Sequence, residues 1–97
     1  MQDLYNESFD NLMKVISMID SQEECRKFFE DLCTIKELQD MAQRFETAVL
    51  LDKGLSYSKI SQQVGVSTAT ITRVNRCLSY GSGGYENAIM IYKGEKK

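Results

Sequence analysis

The chain of 97 residues contains no histidine and no proline. Without histidine it lacks the side chain that most often moves protons near neutral pH. Cysteine is scarce: Cys25, Cys33 and Cys77 have no C-x-x-C spacing, so neither a zinc site nor a dithiol redox motif is suggested. No base is evident beside any of them to activate a thiol nucleophile. Gly81-Ser82-Gly83-Gly84 lacks both the Walker pattern and a preceding strand, so it reads as a break rather than a phosphate loop. These absences argue against an enzyme and against a bound metal. No stretch approaches the roughly 18 apolar residues of a membrane span. The N-terminus lacks a basic segment followed by an apolar run. With an odd cysteine count, the expectation is a bacterial cytoplasmic chain with reduced thiols, nucleoid-associated when bound to DNA. The missing proline leaves long helices unobstructed before Gly54.

Acidic side chains are absent from one stretch. Between Tyr57 and Tyr80 the only charges are Lys59, Arg73 and Arg76. Residues 1–54 carry 12 acidic and 6 basic side chains, whereas residues 55–97 carry 2 acidic and 6 basic. The overall charge of −2 therefore conceals a negative first half and a positive second half. A polyanion is repelled by the first and accepted by the second. The plainer reading is chance clustering of surface charge. A patch of three basic groups is thin, so one chain alone should bind DNA weakly.

The length allows one domain with a modest core, and an apolar fraction of 42% is enough to fold it. Apolar residues at Leu4, Tyr5, Phe9, Leu12, Met13, Ile16 and Ile19 predict a first helix from about Asp3 to Ile19. Ser21-Gln22-Glu23-Glu24 has the form of a capping box, and a second helix should run from about Gln22 to Cys33. Thr34-Ile35-Lys36-Glu37 repeats that form before a third, long helix over about Ile35 to Asp52. Gly54 suits its end. Ser56 caps a fourth helix of about Tyr57 to Val64, and Ser67 caps a fifth of about Thr68 to Tyr80. Residues 81–84 are then a flexible break. The tail contains a short helix over Tyr85 to Tyr92, and residues 94–97 are frayed. The first three helices hold more large apolar groups than one small core needs. Adjacent Phe28-Phe29 and Leu50-Leu51 point to more than one face. A second chain could bury the surplus, which suggests a homodimer with interlocked N-terminal helices. A monomer with one well-filled core is the alternative.

The most informative stretch is Tyr57 to Leu78, YSKISQQVGVSTATITRVNRCL. Apolar residues at Ile60, Val64, Val66, Ile71, Val74 and Leu78 let two crossed helices share a small core. Thr68, Ala69, Thr70, Thr72, Arg73 and Arg76 then point mostly outward. Gly65 permits a sharp turn, Val66 plugs the angle between the helices, and Ser67 caps the second helix. This is the outline of a helix-turn-helix, whose second helix enters the DNA major groove. Thr68, Ala69, Thr70 and Thr72 would face base edges, where short side chains allow close approach and threonine methyls can touch thymine. Ser58, Lys59, Ser67, Arg73 and Arg76 would hold phosphates. A helical hairpin with merely solvated threonines shows the same pattern.

Gly65-Val-Ser-Thr-Ala-Thr-Ile-Thr-Arg73 resembles the turn and recognition helix of the Trp repressor. The likeness extends back through Gln43-Arg44 and Lys53-Gly54-Leu55-Ser56 and covers about Ile35 to Leu78. The whole chain is similar to the Trp-repressor-like YerC/YecD group of bacterial proteins. The resemblance implies an all-α fold of five to six helices, with a helix-turn-helix head at 56–80 on an intertwined homodimeric core at 1–54. It also implies a dimeric regulator of double-stranded DNA, with repression favoured. Two heads would read half-sites about 34 Å apart. In the Trp repressor two arginines sandwich a corepressor indole, and Arg44 and Arg73 stand at the matching places. Here the residue after the second arginine is Val74 instead of glycine, and Cys77 replaces a pocket serine. Both changes disfavour tryptophan as the corepressor. For Arg44 the plainer expectation is a solvated residue or an ion pair with Asp40. A competing reading of the whole chain is a protein-interaction module that reuses the helix-turn-helix shape, its acidic first half docking a basic partner.

Overall fold

The computed structural model describes residues 5–95, and all its regular structure is helical. Six helices follow in order: α1 (Glu7–Met18), α2 (Gln22–Leu32), α3 (Ile35–Asp52), α4 (Tyr57–Val64), α5 (Thr68–Tyr80) and α6 (Gly84–Tyr92). Local chemistry sets their starts. Ser21, Ser56 and Ser67 accept the backbone N–H three residues on, at 3.1, 3.2 and 3.2 Å. At α3 the capping box closes in both directions. Thr34 Oγ1 accepts from Glu37 N at 3.1 Å, and a Glu37 carboxylate oxygen accepts from Thr34 N at 2.8 Å. The end of α3 is a Schellman turn: Gly54 N–H donates to the Leu51 carbonyl and Leu55 N–H to the Leu50 carbonyl.

Three expectations need correction. The first helix starts at Glu7, because the Asn6 side chain accepts from Phe9 N at 2.9 Å and caps it there. Asp3 and Leu4 lie outside the described residues. Residues 81–84 are not all a break, since Gly84 already belongs to α6. Residues 94 and 95 are not frayed: Gly94 N–H donates to the Ile91 carbonyl and Glu95 N–H to the Met90 carbonyl, a second Schellman turn. Lys96 and Lys97 lie outside the described residues.

The chain divides into two compact units, one through Leu38 and one from Gln39 onward. In the first, neither α1 nor α2 has a buried residue. Met18 is 73% exposed and Ile35 76%, and Val15 and Leu32 are exposed as well. Local pairs hold the helices: Tyr5 meets Phe9 edge to face, and Arg26 bridges Glu23 and Glu30 at 3.2 and 3.0 Å.

The second unit contains two hydrophobic clusters. Ala48, Val49, Val74 and Ile89 form one, with Phe45, Leu51, Leu78 and Tyr85 packed around it. Ile60, Val66 and Ile71 form the other, flanked by Leu50, Leu51, Leu55, Tyr57 and Val64. Leu51 touches both. The apolar stripe of α5 is therefore split, with Ile71 turned to α4 and Val74 to α3 and α6. The sequence reading placed both in one shared core. The two residues differ by about 60° around the helix, enough to serve two neighbours.

Candidate nucleic-acid interface

The head is built from α4, the turn at 65–67 and α5. Gly65 takes φ 83°, the left-handed region that a side chain would disfavour, and its N–H donates to the Ser61 carbonyl at 2.9 Å. The Ser61 hydroxyl donates to the Val66 carbonyl at 3.0 Å, tying the turn back onto α4. Val66 is buried between the helices. Ile60 and Ile71 are 0% exposed and Val74 1%, so the underside of α5 is sealed.

With that face hidden, the other is presented. Thr68, Ala69, Thr72, Arg73 and Arg76 are exposed, as are Ser58 and Lys59 on α4 and Ser67 at the turn. Thr70 is half-buried. Its backbone N–H and hydroxyl oxygen are both engaged by Ser67, whose hydroxyl accepts from the first and donates to the second, each at 3.2 Å. Ser67 and Thr70 thus spend their polar atoms on starting the helix. Among the described residues Lys59, Arg73 and Arg76 are in no ion pair, so their charge is available to an outside anion.

Two features escaped the sequence reading. An open depression of about 530 Å³ lies between α4 and the start of α5, lined by Tyr57, Ser58, Ser61, Gln62 and Thr68. Asn75 Nδ2 donates to the Tyr57 hydroxyl oxygen at 3.1 Å, joining the two helices across 18 residues of sequence. No periodicity announces such a pair.

The candidate ligand residues present a different picture. Arg44 is half-buried and Arg73 exposed. Arg44 makes no ion pair among the described residues, so the expected pair with Asp40 does not form. Val74, beside Arg73, is buried in the cluster that also holds Ala48 and Val49 of α3. Cys77 is exposed and borders an apolar depression of about 490 Å³ with Phe45, Gly81, Ser82, Gly84, Tyr85 and Ala88. Among the described residues no helix is long and apolar enough to cross a membrane, and no cluster of metal-ligating side chains occurs.

Two crossed helices with a glycine turn, a sealed underside and an exposed hydroxyl- and arginine-bearing rod define a helix-turn-helix protein. The sequence profile of the Trp repressor protein family matches residues 7–92, and the chain belongs to that family, whose namesake is a helix-turn-helix DNA-binding regulator. It is 49% identical over 86 residues to the uncharacterised YerC protein of Bacillus subtilis (strain 168), covering 89% of this chain and 83% of that one. A TrpR-like protein from Eubacterium eligens ATCC 27750 superposes with a TM-score of 0.86 at 38% identity, over 97% of this chain and 96% of the other. A candidate Trp repressor from Staphylococcus aureus superposes with a TM-score of 0.85 at 37% identity, over 97% and 93% of the two chains.

Proposed function

We propose that the protein is a sequence-specific transcriptional regulator, acting as a repressor, that binds double-stranded DNA as a homodimer in the bacterial cytoplasm. The observation that carries this reading is the exposure of Thr68, Thr72 and Arg73 on a capped helix whose opposite face, Ile71 and Val74, is buried. Such a rod can enter a major groove without unfolding anything. Thr68, Ala69 and Thr72 take the base edges, and Ser58, Lys59, Arg73 and Arg76 take phosphates. Ser67 and Thr70 set the start of the helix and add contacts through any hydrogen-bonding capacity left over.

The homodimer is supported by α1 and α2, which carry apolar side chains yet fully bury none of them within one chain. A second copy brought against them would remove that surface from water. It would also double the thin basic patch. Occlusion of a promoter by the paired heads is the simplest route to repression. Arg44 and Arg73 are the residues proposed to hold a small-molecule corepressor. Tryptophan is disfavoured in that role, because Val74 puts an isopropyl group next to Arg73 and Cys77 is a weak hydrogen-bonding partner where a hydroxyl would serve.

The test is a selection of bound DNA from a randomised library, with and without aromatic amino acids, using the full-length protein. The expected result is one enriched motif with two half-sites about 34 Å apart. Broad, salt-sensitive binding without a motif, together with a tight protein partner in pull-down, would instead support the interaction-module reading.

A further inference from the structure

We infer that the Tyr57 hydroxyl is an additional, uncharged phosphate donor of the head, and that Asn75 is a positioning residue that fixes its direction. The inference rests on the DNA-binding reading above and adds residues which that reading does not use. Tyr57 opens α4, and its half-buried ring packs against the Ile60, Val66 and Ile71 cluster. Its hydroxyl oxygen accepts from Asn75 Nδ2 at 3.1 Å. Asn75 lies seven residues beyond Thr68 on α5, about two helical turns along the same face. A phenol carries one proton. With the oxygen already accepting, that proton is left to donate, and among the described residues it has no acceptor. Accepting the amide hydrogen also polarises the O–H bond and makes it the better donor.

The surroundings suit an anion. Of the five side chains lining the depression, Ser61 already donates to the Val66 carbonyl. The other four, Tyr57, Ser58, Gln62 and Thr68, are neutral side chains able to donate, and no carboxylate joins them. Neutral hydroxyls and amides are common partners of backbone phosphates. The depression also adjoins Thr68, where the recognition helix starts, and the first helix of such heads crosses the sugar-phosphate backbone. A phosphate held there by Tyr57 is linked through Asn75 to the middle of α5. It therefore sets how deep Thr72 and Arg73 sit in the groove.

The experiment uses full-length protein and a duplex carrying the sequence that the wild type enriches from a randomised library. Tyr57→Phe is expected to weaken binding about tenfold. The slope of affinity against salt should stay unchanged, because a neutral donor displaces no counterion. Asn75→Ala should weaken binding about threefold, and the double variant should bind no more weakly than Tyr57→Phe alone. A methylphosphonate at one phosphate per half-site should cost the wild type as much as Tyr57→Phe does, and cost that variant nothing further. If Tyr57→Phe binds as wild type while Arg73→Ala loses affinity, the inference fails and the DNA-binding reading stands. If no duplex is enriched, or Arg73→Ala is also without effect, both fail. Additive losses in the double variant overturn the role of Asn75. A loss in Tyr57→Phe that no methylphosphonate position reproduces, accompanied by a lower melting temperature, assigns Tyr57 to packing alone and overturns the inference.

Discussion

Among the described residues from Gln39 onward seven apolar side chains are buried, while in α1 and α2 none is. Both regions have apolar stripes at helical spacing, so the contrast does not come from composition. It comes from what each stripe meets. α3, α5 and α6 share the Ala48, Val49, Val74 and Ile89 cluster, and α4 and α5 share Ile60, Val66 and Ile71. The first two helices rely on caps and on pairs one turn apart, each worth about 0.3–1 kcal/mol. An apolar stripe is thus a demand for a partner surface. One region meets that demand within the chain, and the other presents it to a second copy in the dimer proposed here.

The sharpest way to break this contrast is to cut into the self-contained core. Ile71→Ala removes a residue with no exposure and should cost about 2–5 kcal/mol in denaturant unfolding. A loss below about 1 kcal/mol would mean that the second unit does not depend on this cluster. Arg73→Ala tests the presented face instead. It should leave the melting temperature unchanged and weaken binding to the selected duplex by about 10- to 100-fold, the loss of a charge-assisted hydrogen bond. Equal affinity at fixed salt would count against a DNA-contacting role.

Ile35→Lys probes the open stripe. It should destabilise the dimer by about 1 kcal/mol or more and make melting depend more steeply on protein concentration. Sedimentation showing a wild-type monomer at all concentrations would remove the partner from the account. Thr34→Ala should cost about 1 kcal/mol of stability by opening the capping box at α3.

The smallest effect is expected at Lys93, whose ammonium donates to Asp52 Oδ2 at 2.7 Å. That hydrogen bond, together with the carboxylate's charge, raises the Lys93 pKa above its ordinary 10.5. A group raised on folding stabilises fully below its unfolded value and loses that contribution as pH climbs through the folded one. The contribution should therefore fade only in alkali above the ordinary lysine value. The pair is exposed, so the effect is slight and screened by salt. Asp52→Asn should remove it, and a melting curve with the same alkaline profile in both proteins would show that the pair is inert.

Much of this organisation was legible beforehand. The starts of α2, α4 and α5 follow from Ser21, Ser56 and Ser67, each capping an amide three residues away. The turn at Gly65 and the outward face of α5 were legible for a similar reason. The start of α1 was set too early, because Leu4 and Tyr5 continue the apolar spacing, whereas the Asn6 side chain caps the helix at Glu7. The spacing puts Thr70 mostly outward, whereas in the structure it is half-buried and its hydroxyl oxygen accepts from Ser67. Val74 was read as part of the head's core, yet it belongs to the cluster shared with α3 and α6.

The sequence by itself determined the first five helices with most of their ends, and a helix-turn-helix with its hydroxyl face outward. Caps, turns and amphipathic periods act over three or four residues, and that range can be read along a line. Tertiary structure alone decided which neighbour each apolar stripe meets, and that no residue of α1 or α2 is fully buried in one chain. It also decided the bonds joining Tyr57 to Asn75 and Asp52 to Lys93, which lie 18 and 41 residues apart. Contacts at such separations depend on how helices cross, and no local propensity encodes a crossing.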